Sequence, residues 1–216
     1  MTKTNLTRFM PQRILRYGNT DLCPLDGDIP VLQFLNTHRY RGSARAENYL
    51  NTYDDFITWC YEIRLIDQDV YNVLELESYC YVSEAVSIVN QVIVIREMLY
   101  ELIYCIVNDE QVHPIVIDEF NAINDEANKH LCFAITAYGL REVWRNVHEE
   151  MAYPLWRIIK CAGQFLISED VKFIKKCRCG SLYLDKTKNS NRRYCNPFTC
   201  GSACRSKQYY KRKVSG

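Results

Sequence analysis

Apolar residues recur every three to four positions through most of the chain, which is the spacing of amphipathic helices. The longest such stretch opens at Ser83 and Glu84. Its inward face is expected to comprise Val89, Val92, Ile95, Leu99, Leu102 and Ile106. A membrane span needs about 20 apolar residues in succession, whereas the most apolar stretch, Ala85 to Ile95, has only 11. The pattern therefore predicts a buried helix and no membrane span.

Capping residues predict where the other helices start. Thr52 or Asp54 can cap one helix and Asp67 the next, because a side-chain oxygen there accepts a hydrogen bond from the first turn. Pro114 and Pro154 suit the first position of two later helices, where an amide hydrogen would have no partner. The inward faces of these two helices are expected to be Ile117, Phe120, Ile123 and Ala127 in the first, and Leu155, Ile158, Ile159, Ala162 and Phe165 in the second.

Three segments depart from the helical pattern. Leu131 to Trp144 alternates between apolar and polar positions around Gly139, which predicts a β-hairpin. The polar segment from His38 to Asn51 is expected to be a loop or a short helix, and residues 1–29, which are rich in Pro and Gly, a loop or short strand. We therefore predict a mainly α N-terminal domain with a short β-hairpin over residues 1–170, followed by a small C-terminal module over residues 171–216.

Charge is divided unevenly between these two parts, although the net charge is only +1. From Val171 to Gly216, 13 Lys and Arg residues face a single acid, Asp185, whereas residues 1–170 hold 14 basic and 25 acidic residues. A basic segment joined to an acidic body indicates contact with nucleic acid or another polyanion. The alternative is that the two parts of the chain attract each other.

The eleven cysteines form two groups. Six stand singly, several of them within helical patterns, as reduced cysteines of a core do: Cys23, Cys60, Cys80, Cys105, Cys132 and Cys161. With a polar, basic start of the chain, they predict a cytoplasmic protein without disulfides. The other five lie within 28 residues, at Cys177, Cys179, Cys195, Cys200 and Cys204. Two clusters separated by 15 residues predict a zinc finger, either a ribbon or treble-clef-like.

A structural zinc ion needs four ligands in a tetrahedron, so we expect one Zn²⁺ in this module. Cys179 and Cys195 are the firmest ligands from spacing, and Cys177 completes the first pair. The second cluster offers three thiols for two places. We favour Cys195 with Cys200 and keep Cys204 as a substitute. Catalytic zinc usually involves His or a carboxylate, and none lies among these cysteines, so we expect no enzyme activity.

The module resembles the CGNR zinc fingers. The shared residues are Cys179-Gly180, Leu182-Tyr183-Leu184-Asp185, Arg192-Arg193-Tyr194-Cys195 and Cys200-Gly201. The resemblance implies that the four ligands are Cys177, Cys179, Cys195 and Cys200. Ser202-Ala203 stand where the family has Asn-Arg, and Arg205 or Lys207 can substitute for the missing arginine.

The upstream part is similar to the ABATE domain, which precedes this finger in bacterial proteins. The matching features are Phe34-Leu35-Asn36-Thr37, Asp54-Asp55-Phe56-Ile57-Thr58-Trp59 and Pro154-Leu155-Trp156. The two resemblances together imply a bacterial transcription regulator.

Tyrosines interleave with basic residues in the tail, an arrangement that suits base stacking and phosphate pairing, although it also suits a solvated terminus. The candidate nucleic-acid contacts are Arg192, Arg193, Arg205, Lys207, Lys211 and Arg212. We predict nucleic-acid binding, with DNA favoured, and an N-terminal domain that senses a small-molecule effector or pairs with a protein partner. The alternative is a protein interaction module in which the basic finger docks a partner.

Overall fold

The computed structural model describes residues 29–214, except the side chains of residues 207, 208, 211, 212 and 214. The expectation for residues 1–28 therefore lies outside the described residues. Seven α-helices lie within the described range: α1 (Pro30–Leu35), α2 (Tyr53–Glu62), α3 (Gln68–Cys80), α4 (Val82–Val107), α5 (Pro114–Lys129), α6 (Tyr153–Leu166) and α7 (Cys200–Val214). A 3₁₀ turn (Glu169–Phe173) follows α6.

Over residues 29–214, six short strands form three antiparallel two-stranded ribbons, each made of strands that follow one another in the chain. They are β1 (His38–Arg39) with β2 (Glu47–Asn48), β3 (Leu131–Thr136) with β4 (Gly139–Trp144), and β5 (Ile174–Lys176) with β6 (Leu182–Leu184). The β3–β4 ribbon confirms the predicted hairpin. The segment from His38 to Asn51, expected to be a loop or short helix, is mostly loop, but the expectation missed the pairing of β1 and β2 within it.

The predicted helix starts are confirmed by their caps. Thr52 and Asp55 form a capping box at α2, in which each side chain accepts from the other's backbone amide. The Asp67 side chain accepts from the amide of Val70 at α3. Pro114 is the first residue of α5, and Pro154 lies in the first turn of α6.

Helix α4 lies at the centre of the fold and contacts five other helices, α1, α2, α3, α5 and α6. Its predicted inward face is buried from Val89 to Leu102, but Ile106 is 39% exposed. On α5, Val116 is buried in place of the expected Ile117, which is 39% exposed. These two predictions were wrong because periodicity locates an apolar stripe only to within about one residue at its edge. The expected face of α6 is buried throughout.

The C-terminal module shares the core of the N-terminal domain. Ile174, Leu182 and Leu184 belong to the same buried cluster as the helices. Asn36, at the end of α1, donates from Nδ2 to the carbonyl of Leu182 (2.8 Å) and accepts from its amide at Oδ1 (2.9 Å). Phe198, the remaining large apolar residue of the finger, is 62% exposed. The finger therefore folds against the helices and not only around its metal.

Within the described part of the chain, no helix combines the length and apolar character that crossing a membrane requires. The ten described cysteines are all free thiols.

We predict that Asn36→Ala destabilises the protein by about 2–6 kcal/mol, because it leaves two buried backbone groups of Leu182 without partners, at ~1–3 kcal/mol each. Urea unfolding followed by tryptophan fluorescence measures the change. Asn72→Ala is the matched control, because Asn72 is exposed on α3 and bonds only within its helix, to Gln68. Equal unfolding free energies for the two variants would show that the Asn36 bridge is not important.

Candidate metal centre and its basic surface

Two segments bring four cysteines together. Cys177 and Cys179 lie in the tight turn between β5 and β6, where the amide of Gly180 donates to the carbonyl of Cys177 (2.9 Å). This turn requires a φ of +88° at Gly180, a conformation that glycine adopts without strain. Cys195 lies in the loop between β6 and α7, and Cys200 is the first residue of α7. Ligands from a hairpin turn and from the start of a helix are typical of a treble-clef-like finger. Of the two finger types that the spacing left open, a ribbon and a treble-clef-like finger, the arrangement matches the second.

The four sulfur atoms fit a zinc ion. All lie within 4.8 Å of one another, and those of Cys179 and Cys195 are 3.5 Å apart. A tetrahedron with Zn–S bonds of ~2.3 Å requires sulfur atoms ~3.8 Å apart. Cys177, Cys179 and Cys195 are buried and Cys200 is half-buried. Four thiolates would fill the coordination of Zn²⁺ and leave no open position, which is the arrangement of a structural zinc site that supplies folding free energy.

Cys204 does not belong to this cluster. It lies one helical turn after Cys200, and its Sγ is 3.9 Å from a guanidinium nitrogen of Arg178. Of the two thiols left open by the spacing, the structure brings Cys200 into the cluster, whereas Cys204 lies one turn further along α7 and outside it.

Arg192 holds the loop that carries Cys195. Its guanidinium donates to the carbonyls of Leu184 (2.9 Å), Tyr194 (3.1 Å) and Cys195, and lies 4.8 Å from the ring centroid of Tyr183. The Tyr183 hydroxyl in turn donates to the carbonyl of Arg192 (2.9 Å). The guanidinium is thus occupied by the finger's own backbone. Arg192 was predicted as a nucleic-acid contact, but this geometry gives it a structural role.

Asp185 fixes the other end of the same loop. Its buried carboxylate accepts from Nζ of Lys175 (2.6 Å), from the amide and hydroxyl of Thr187, and from the amide of Arg192 (3.1 Å). Burial would raise the pKa of Asp185, but the hydrogen bonds from Lys175 and Thr187 lower it to about 2. Residues 182–185 and 192–195 are therefore hydrogen-bonded to each other, and these bonds position Cys195.

Residues of the N-terminal domain also surround the metal site. The sequence did not predict this contribution. The amide of Tyr40 donates to the carbonyl of Cys179 (3.1 Å), and its ring packs against the cysteine cluster. Arg39 is buried, with a guanidinium nitrogen 3.9 Å from Sγ of Cys200. Tyr100 on α4 donates to the carbonyl of Gly180 (2.8 Å). The one sequence feature that pointed to this region was the neighbouring Phe34–Thr37 motif, which matches the ABATE domain.

A charged network holds this side in place. The Glu97 carboxylate accepts from His38 (2.9 Å), Arg41 (2.8 Å) and the buried Arg96 (2.9 Å). Burial would raise the pKa of Glu97, but hydrogen bonds from Arg41 and His38 and the charges of Arg41 and Arg96 lower it to about 2. Arg96 also donates to Thr37 (3.0 Å) and Asn48 (2.8 Å). It thereby joins β1, β2 and α4.

Exposed arginines gather beside the metal site, around Tyr194 and Cys204. Arg178 approaches Cys204, and Arg193 and Arg205 act electrostatically on Tyr194. Arg178, Arg193, Tyr194 and Arg205 are here called the basic face; all three arginines are exposed. Two of the predicted contacts, Arg193 and Arg205, thus lie together. The side chains of Lys207, Lys211 and Arg212 lie outside the described part of the structure, although their backbone belongs to α7.

Family models match both parts of the chain. The ABATE model, whose description is "Putative stress-induced transcription regulator", matches residues 28–169. The chain belongs to the ABATE family. The CGNR zinc finger model matches residues 174–213. Both resemblances stated from the sequence are thereby confirmed, as is a mostly helical fold with a cysteine-ligated finger. A comparison with curated proteins finds no match.

We predict one zinc per chain, held by Cys177, Cys179, Cys195 and Cys200. Elemental analysis of the purified chain should give a ratio near one, and Cys200→Ser should lower it well below one because a ligand is lost.

Cys204→Ser is the matched control, since it makes the same chemical change one turn further along α7 and should keep the ratio near one. Loss of zinc from Cys204→Ser with retention in Cys200→Ser would reverse the ligand assignment.

Proposed function

We propose that this ABATE family protein is a cytoplasmic transcription regulator without enzyme activity, and that its finger binds DNA through the basic face and α7. The observation that carries the proposal is the charge of α7, which has five Lys and Arg residues and no acid. This helix starts at a zinc ligand, so the metal site fixes its first turn against the rest of the finger.

The placement of the arginines supports this proposal. Arg178, Arg193 and Arg205 are exposed on backbone that the metal site orders, so binding a phosphate costs side-chain freedom but little additional backbone freedom. Tyr209 and Tyr210, further along α7, are 62% and 65% exposed and could stack on unpaired bases. Zinc with four thiolates adds a charge of −2, which leaves the module strongly cationic.

For the N-terminal domain we propose a regulatory role exercised through a protein partner. Phe133 (74%), Ile135 (88%) and Leu140 (65%) are exposed on one face of the β3–β4 hairpin. Clustered exposed apolar side chains support a protein contact. A small-molecule effector is the second candidate. An open, mostly apolar groove of about 280 Å³ lies between α2, α3 and α4, lined by Tyr53, Tyr79, Val82 and Val86 among others.

We predict that duplex DNA binding weakens steeply with salt. Each neutralised phosphate contributes ~0.9 to the negative slope of log affinity against log salt, so about five contacts give a slope of roughly −4 to −5. Replacing Arg193 and Arg205 together by Ala should weaken binding and flatten the slope by about 2, while zinc content stays at one. Electrophoretic shifts over a salt series measure both quantities.

Replacing Arg141 and Arg145 together by Ala is the matched control, because it removes the same charge from exposed positions of the N-terminal domain. Single-stranded DNA and RNA probes test the choice of nucleic acid. If zinc-loaded protein binds no nucleic acid at low salt, the proposal fails, and the alternative that the finger docks a partner protein becomes the better explanation.

A further inference from the structure

We propose that Arg39 of the N-terminal domain is the counter-charge of the zinc–thiolate centre, and that through it zinc occupancy controls the docking of β1 on the finger. This inference concerns the metal site and does not depend on DNA binding.

One Zn²⁺ with four cysteine thiolates carries a net charge of −2, and three of the four cysteines are buried. A buried charge is costly unless hydrogen bonds and an opposite charge compensate it. Metal ligands in proteins are therefore supported by outer partners that donate to them and set their orientation.

Arg39 meets this requirement by position. It is 5% exposed, and its guanidinium nitrogen lies 3.9 Å from Sγ of Cys200, within the range of an N–H···S hydrogen bond. Arginine remains protonated at every physiological pH and gives up its hydration more readily than lysine, so it suits a buried pairing with a thiolate. Arg178 makes a contact of the same length to Sγ of Cys204. Arg178 is exposed, however, and Cys204 does not belong to the metal-binding cluster.

The backbone around Arg39 is fixed against the finger at several points. Asn36 bridges to Leu182, Tyr40 donates to the carbonyl of the ligand Cys179, and Tyr100 donates to the carbonyl of Gly180. These contacts place the backbone of Arg39 beside the finger, within reach of Cys200. Because the same segment is part of the core of the N-terminal domain, a change at the metal site reaches that domain directly.

The test compares Arg39→Met with Arg178→Met in the full chain. Competition with a chromogenic chelator should show zinc affinity lowered about 10- to 100-fold by Arg39→Met, the usual effect of losing an outer partner, and unchanged by Arg178→Met. Arg39→Lys keeps the charge and should recover part of the loss. Wild-type zinc affinity in Arg39→Met would overturn the proposal.

Cobalt substitution separates a thiolate contact from a general loss of stability. The N–H···S bond lowers the energy of the sulfur lone pair, so its removal should shift the sulfur-to-Co²⁺ charge-transfer band to longer wavelength in Arg39→Met. Arg178→Met should leave the band in place. If Arg39→Met fails to fold, Arg39→Leu, which also lacks a donor, replaces it, and an unshifted band in a folded variant without a donor at this position would contradict the contact.

The coupling to the N-terminal domain has its own readout in the wild-type protein. All three tryptophans, Trp59, Trp144 and Trp156, lie in the N-terminal domain. Their emission should change in step with zinc release by a chelator. Complete zinc removal with unaltered tryptophan emission would overturn the coupling.

Discussion

The contact between the segment Asn36–Arg41 and the finger determines how the rest of the molecule is arranged. A finger of this size buries too little apolar surface to be stable alone, and metal usually supplies the difference. Here the helical domain contributes as well. Asn36 satisfies both backbone groups of Leu182, and Ile174, Leu182 and Leu184 enter the common core. The finger is therefore held from one side by zinc and from the other by α1, β1 and α4.

Local patterns predicted most of the helical domain, because caps and apolar periodicity are properties of neighbouring residues. Thr52, Asp67 and Pro114 marked helix starts correctly. The β1–β2 pairing was missed because it depends on the buried Arg96, which is 48 residues from Asn48 in the chain and donates to its side chain. Helix α7 was missed because its polar sequence has no apolar stripe, and the metal ligand at its first residue supports its start instead.

The metal ligands could be predicted from spacing and resemblance, whereas their surroundings could not. Arg39 lies 161 residues before Cys200, so no local pattern joins them. Arg192 and Arg193 are indistinguishable by composition, yet their side chains differ in role. The first is turned into the finger, where it donates to three carbonyls, and the second is exposed. The conformation of the loop between Asp185 and Cys195 decides which of the two arginines is structural and which is on the surface, and this conformation cannot be read from local sequence.

Ser202-Ala203 replace the Asn-Arg of the family motif after Cys200, and this replacement is consistent with the distinction between structural and surface arginines. Ser202 and Ala203 are exposed in the first turn of α7, where a cation would oppose the positive end of the helix dipole. Arg205 lies further along the helix and donates to the carbonyl of Pro197 (3.0 Å), which places its guanidinium back over the loop that leads into α7. A residue of the second turn thus presents a cation next to the metal site. In this chain, which lacks the motif arginine, the charge beside the metal comes from Arg205 together with Arg178 and Arg193.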